Sequence, residues 1–340
     1  CKSDPPDIVL MDLVMPNMNG VEATKKIMEE SPCPILIVTA SLDRNVSLIF
    51  TAMGYGALDV ALTPCFNREI SPEGAKALIE KISTIEQTLS SPRKKRATDS
   101  TSPTSTTAGS EQLPLLLIGA STGGPKSIKI LLESLEVNFP LPILIIQHLY
   151  PLFAGEFAHW LSESLSRKIH LAKQGDSLLP NQIYLLVNSG GFEINSRGVL
   201  TETPYRGVNK GSNCTESQLA KEHEGALPYS KNDPFSDFLS DNRHSACNTI
   251  DQCFLSAAEN WKSGGIGVLL TGAGADGVEG LLALQEQGWL TIVEDPKGCI
   301  APEKPLLATE RGAAKQSLPI YEMGKSISQA TDLLLGKVTT

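Results

Sequence analysis

The sequence is short of paired cysteines, of long apolar runs and of positive charge. Its seven cysteines, Cys1, Cys33, Cys65, Cys214, Cys247, Cys253 and Cys299, are odd in number and scattered, with no C-x-x-C pair. That pattern argues against a disulfide framework or a zinc site, and it makes a reducing cytosol the simplest compartment. No apolar run approaches the roughly 18 residues that a membrane span needs, so membrane insertion is not expected. Lysines and arginines number 29 against 38 aspartates and glutamates, a net charge of −9. Broad nucleic-acid affinity depends on basic side chains displacing counterions, so a nucleic-acid partner is not expected either. No signal peptide is visible. The first residue is Cys1 rather than Met, and residues 1–13 read as coil entering a strand in mid-fold. An upstream truncation is expected in preference to a cleaved lipoprotein.

What is present is an ordinary globular composition, 41% hydrophobic and 20% charged over 340 residues. At roughly 150 residues per domain this suggests about two domains. Residues 7–66 alternate short β-rich runs (Ile8–Leu13, Ile35–Val38, Leu58–Leu62) with helical stretches such as Val21–Glu30. Turn signals separate them, as at Pro16-Asn17 and Asn19-Gly20. Residues 72–89 suit a closing helix. This alternation implies a parallel sheet with helices on its faces. Residues 90–112 carry almost no apolar side chain and read as a flexible linker. Its basic run Arg93–Arg96 reads as a solvated cluster at a domain edge. The second alternating pattern runs through residues 113–336. Strands are expected at 115–118, 143–146, 183–187, 266–270 and 290–293, with helices near 126–135, 155–165, 249–262 and 277–287. Residues 201–247 are polar and read as a long excursion. The expected architecture is α/β, with a doubly wound sheet in the second domain.

Three groups that could share one chemistry follow three of these strands. Gly119-Ala120-Ser121-Thr122-Gly123-Gly124 fits G-x-S-x-G between a strand and a helix. That context presents a serine hydroxyl on a sharp turn and offers the next amide, that of Thr122, as an oxyanion donor. The bland reading is a glycine-rich turn with a serine or threonine cap. His148 follows the apolar strand ending at Gln147, where a base for the serine would stand. Asp276 follows a third strand, where a carboxylate could orient the imidazole. Its bland reading is the N-cap of the helix that follows. A rival remains on the same segment. Gly272, Gly274 and Gly277 fit G-x-G-x-x-G, and Glu294 lies where a ribose-binding acid would sit in a dinucleotide-binding oxidoreductase. In the first domain Asp12 ends an apolar run, with Thr39 and Thr63 at the ends of the next two strands. An acid beside hydroxyls at converging strand ends suits a phosphoryl-accepting aspartate. The alternative is that Asp12 caps the turn after it.

These residues resemble a known arrangement. Asp12-Leu13-Val14-Met15-Pro16-Asn17-Met18-Asn19-Gly20 is similar to the response-regulator receiver motif around the phosphorylated aspartate, and Thr39-Ala40 resembles its switch hydroxyl. The Gly119–Gly124 turn, Gln147-His148 and Thr271–Gly277 resemble the motifs of chemotaxis protein-glutamate methylesterases. The resemblance implies a partial receiver with a flavodoxin-like parallel sheet (1–89), a linker (90–112) and a methylesterase domain (113–336). It implies Ser121 as nucleophile, His148 as base, Asp276 as orienting acid, and Thr122 and Ala273 at the oxyanion and substrate site. The substrate would be glutamate methyl esters on the cytoplasmic helices of chemoreceptors, with deamidation of receptor glutamines as the same acyl transfer. A chemotaxis histidine kinase would phosphorylate Asp12 and relieve inhibition of the esterase. The esterase needs no cofactor. Mg2+ is expected for receiver phosphorylation, but the acidic pair that would hold it is missing here. Thr63-Pro64 stands where receivers carry Lys-Pro, Ala273 replaces a common methionine, and Ala-Pro-Glu-Lys-Pro at 301–305 replaces an aromatic-Gly-Met-Pro run. These departures keep a catalytically weakened signalling scaffold of the same fold as an alternative.

Overall fold

The structure is a computed structural model that describes residues 1–40, 42–66, 69–70, 72–90, 112–149, 153–187, 191–203 and 249–337. The expected linker falls almost wholly outside the described residues, as does the expected excursion over 201–247 from residue 204 on; its first residues, 201–203, are strand.

The first sheet has three parallel strands, β1 (Val9–Asp12), β2 (Ile35–Thr39) and β3 (Asp59–Leu62), in that order. They are joined by α1 (Gly20–Glu30) and α2 (Leu42–Tyr55). A short antiparallel pair follows, β4 (Cys65–Phe66) and β5 (Glu69–Ile70), and then α3 (Pro72–Ser90). Helix α1 starts where Asn19 accepts a hydrogen bond from the Glu22 amide at 2.9 Å, satisfying one of the helix's unpaired donors. Buried Ile35, Leu36 and Ile37 make β2 the centre of the sheet.

The second sheet has seven strands, all parallel. In chain order its elements are β6 (Leu115–Ala120), α4 (Gly124–Glu133), β7 (Ile143–Gln147), α5 (Ala154–Leu165), β8 (Ile169–Leu171) and β9 (Ile183–Val187). After a hairpin, β10 (Gly191–Ile194) and β11 (Leu200–Thr203), come α6 (Thr249–Asn260), β12 (Gly265–Leu269), α7 (Val278–Glu286) and β13 (Leu290–Glu294). The chain closes with α8 (Glu303–Glu310), β14 (Gln316–Leu318) and α9 (Ile320–Leu334). The strand order is β14-β13-β12-β6-β7-β9-β8. The chain winds one way from β6 to β7 and the other way from β6 to β12. That reversal opens a crevice at the carboxyl ends of β6, β7 and β12, where open α/β sheets bind ligands. Strands β6, β7, β9 and β12 are fully buried, which explains their unbroken Leu/Ile/Val runs.

One hydrophobic core runs from the first sheet into the helices of the second. Phe50 of α2, fully buried, lies 6.3 Å from Phe153, 5.0 Å from Phe157 and 6.1 Å from Trp160, ring centre to ring centre. Burying one such ring contributes about 1.5–3 kcal/mol. Ile300, from the second domain, packs against the cluster of Leu36, Leu58, Ala61 and Ile85 in the first.

Candidate active site

Ser121, His148 and Asp276 stand on loops leaving three neighbouring strands, β6, β7 and β12, with β6 in the middle. Main-chain bonds fix the rim. The Ser121 amide donates to the Thr271 carbonyl at 3.1 Å, and the His148 amide to the Ala120 carbonyl at 3.1 Å. The buried Gln147 amide group donates to the carbonyls of both Ser121 (3.0 Å) and His148 (2.9 Å), so one side chain ties the serine turn to the histidine. Gly123 caps α4 with φ of +78°, a conformation that favours glycine, and Pro125 occupies the first turn.

His148 Nε2 lies 2.6 Å from Asp276 Oδ2. The imidazole is 23% exposed and the carboxylate 8%, so the pair sits at the edge of the crevice with its acid turned inward. With Nε2 committed to Asp276, Nδ1 is the ring nitrogen left to act on a neighbour. The Ser121 hydroxyl makes no hydrogen bond among the described residues. The structure therefore joins two of the three expected groups directly and holds the third beside them through the backbone. Catalytic hydrogen bonds in unliganded sites commonly close only when substrate is bound.

Asp276 does not cap the helix that follows it; Gly277 holds that position on α7. Its two oxygens instead accept from the Ile250 amide (3.0 Å) and the Asp251 amide (2.8 Å) at the start of α6. Burial pushes this carboxyl up, but the hydrogen bond and charge of His148, Lys304 and the Asp251 amide outweigh it and hold the group below the usual carboxylate range. Asp251 accepts from the Gly280 amide at 2.7 Å, and burial together with the Asp276 charge pushes it up to about 6. The amides of Thr122 and Ala273 donate to no protein acceptor among the described residues, so both remain available to an oxyanion.

The dinucleotide reading of Gly272–Gly277 fails on Glu294. A ribose-binding acid must face the ligand crevice, whereas Glu294 is 2% exposed and accepts from the Thr271 amide (3.0 Å) and the Ser127 hydroxyl (3.2 Å). Burial pushes it up to about 7. It braces the end of β12 from below the rim. Residue-by-residue reading missed Asp251, Lys304 and the bridging amide of Gln147. Gln147 could be suspected as a polar residue closing an apolar strand, but nothing local marks the other two.

At the first sheet, Asp12 is exposed at the end of β1, and its Oδ1 accepts from the Val14 amide at 3.2 Å. Both the turn-capping reading and an accessible phosphoacceptor are thus compatible with its position. Thr39, 1% exposed, ends the adjacent strand and accepts from Asn45 Nδ2 at 3.0 Å. Thr63 follows β3, its amide donating to the Thr39 carbonyl. Among the described residues no group of three or more His, Cys, Asp or Glu could hold a metal ion.

Comparison with known proteins identifies both halves. Residues 116–327 match the family model for the CheB methylesterase, and residues 1–71 match that for the response regulator receiver domain. A Pseudomonas aeruginosa protein named protein-glutamate methylesterase/protein-glutamine glutaminase 3 is 34% identical over 334 residues, covering 98% of this chain and 88% of the relative. A Burkholderia pseudomallei protein named protein-glutamate methylesterase/protein-glutamine glutaminase 2 is 35% identical, covering 96% and 84%. The crystal structure of the Thermotoga maritima CheB methylesterase catalytic domain shares the fold at a TM-score of 0.50 and 24% identity, over 64% of this chain and 99% of that one.

Proposed function

The chain belongs to the CheB methylesterase family, with a response regulator receiver domain ahead of the esterase, and from that premise we propose that it hydrolyses glutamate methyl esters on chemoreceptors. Residues 113–336 form the catalytic domain and residues 1–89 the receiver that governs it. The observation that carries the reading is the 2.6 Å His148–Asp276 pair set beside the Ser121 turn on adjacent strands.

Ser121 Oγ attacks the ester carbonyl while His148 takes its proton. The oxygen that gains charge faces the amides of Thr122 and Ala273. Collapse of the tetrahedral intermediate expels the methoxy group, which leaves as methanol with the proton from His148. A water then attacks the acyl-enzyme with the same imidazole as base, releasing glutamate and restoring the serine. Asp276 stabilises the transient imidazolium. A receptor glutamine enters the same cycle with ammonia as the leaving group. The substrate lies on the cytoplasmic helices of methylated receptors, and the chain acts in the cytoplasm. The only reactants are ester and water, so the esterase half uses no cofactor.

The receiver restrains this site. The Leu58 carbonyl, at the start of β3, accepts from the Gly123 amide at 3.3 Å, two residues beyond Ser121. Asp12 is the phosphoacceptor for a chemotaxis histidine kinase. A phosphate adds about −1.5 to −2 charges and three acceptor oxygens, enough to shift the packing of the receiver and uncover the rim.

The test is methanol release from methylated receptor by the full chain and by its Ser121→Ala variant. Release that depends on Ser121 supports the esterase. Equal rates from the two proteins sink the mechanism, and receptor binding with no release from either identifies a scaffold.

A further inference from the structure

We propose that Lys304 is a positioning residue for this reaction, whose buried side chain fixes the Asp276 loop and sets a positive charge behind the His148–Asp276 pair. The proposal rests on the assignment of Ser121, His148 and Asp276 given above.

Lys304 lies in the first turn of α8 and is 1% exposed. Its Nζ donates to the Asp276 carbonyl at 2.8 Å, and its own amide donates to the Gly272 carbonyl at 3.1 Å. Its stem fills the space behind the serine turn: a β-carbon built on Gly272 would lie 2.6 Å from Lys304 Cε, 2.7 Å from Cδ and 2.8 Å from Ser121 Cβ. One side chain thus touches both the loop that supplies the acid and the glycine against which the nucleophile packs.

Burying an ammonium is costly unless opposite charge surrounds it. Burial pulls the Lys304 ammonium below the usual lysine range, and the groups facing it, Asp276 on the β12–α7 loop, Asp251 on α6 and Glu303 on its own helix, favour its charged form without cancelling that pull. The converse also holds. Without a cation, Asp251 and Asp276 are two carboxylates buried together. The field on His148 becomes more negative, and its imidazole holds a proton more tightly. A protonated imidazole cannot take the serine proton, so removing the Lys304 charge disables the base without touching substrate.

The experiment is an NMR titration of the His148 ring in the full chain, in K304M and in K304R, with the resonance assigned by its loss in H148Q, run beside pH profiles of methanol release. K304M preserves the length of the stem and removes the charge. Its His148 midpoint lies above that of the parent, and the acidic limb of kcat/KM moves up with it. K304R brings the midpoint back toward that of the parent. A K304M protein that folds and titrates His148 at the parent midpoint overturns the proposal, whatever its rate. Should K304M fail to fold, the ζ-nitrogen of Lys304 in the parent decides: an ammonium signal at neutral pH supports the role, and a neutral amine overturns it. If the midpoint shifts as expected yet the parent releases no methanol, the coupling stands and the esterase assignment is what fails.

Discussion

The Leu58 carbonyl and the Gly123 amide meet at 3.3 Å, joining the start of a receiver strand to the cap of the helix that follows Ser121. The contact does not stand alone. Ile300 packs into the small receiver cluster around Leu58, and Phe50 packs among Phe153, Phe157 and Trp160. Access to the rim and packing between the domains are therefore one mechanical problem.

That coupling predicts the behaviour of Gly54→Leu. A β-carbon at Gly54 would lie 2.7 Å from Trp160 Cζ2, so a leucine drives a wedge between α2 and α5. The substitution favours the helix itself by up to about 1 kcal/mol, so the receiver remains folded. Methanol release without phosphorylation should rise several-fold, and small-angle scattering should show a more extended molecule. An extended molecule with an unchanged rate would show that the receiver does not restrain the site.

Asp276→Asn should separate catalysis from binding. The asparagine oxygen can still accept from one amide of α6, but its NH2 cannot accept from the other or stabilise an imidazolium. By analogy with serine triads, kcat should fall by up to about 10⁴-fold, with KM little changed. Steady-state kinetics on methylated receptor measure both. A kcat within a few-fold of the parent would remove Asp276 from the mechanism.

Gly272→Ala tests how tightly the nucleophile is packed. The new methyl would overlap the Lys304 stem and Ser121 Cβ, both within 3 Å of its position. Overpacking of this kind typically costs about 1–3 kcal/mol. The loss of turnover should exceed what the fall in Tm accounts for, because the strain falls on the serine turn. Thermal unfolding and methanol release on the same preparation provide the comparison.

Glu294 makes a prediction about stability and pH. Its folded pKa is pushed up to about 7, whereas an unfolded glutamate titrates near about 4.3. Between these values the folded state binds more protons than the unfolded one, so this group's contribution to stability declines as pH rises through that window. Glu294→Gln can keep accepting from the Thr271 amide and can donate to Ser127. Its Tm should fall less steeply with pH across the window than that of the parent. Parallel Tm–pH curves for the two proteins would show that Glu294 does not titrate there.

Local sequence determined the alternation of elements. Fully buried parallel strands must be continuous apolar runs, and Ile143–Gln147 and Ile183–Val187 could be read as such, as could the turns at Asn19-Gly20 and Gly123-Gly124. The same grammar put Ser121, His148 and Asp276 at the carboxyl ends of strands, because a polar residue closing an apolar run marks where the chain leaves the sheet. It could not choose between an orienting acid, a helix cap and a dinucleotide turn at Gly272–Gly277, since all three use the same residue types at the same spacing. Only the tertiary structure shows which neighbours these residues meet. Strand order placed β12 beside β6, so Asp276 met His148 across 128 residues of chain, and Glu294 was turned inward beneath the rim. It also brought Lys304 against Asp276 and Leu58 against Gly123, contacts that depend on which helices pack together. Side-chain charge and burial at such sites are properties of the assembled fold, because the field each group feels comes from residues that are distant along the chain.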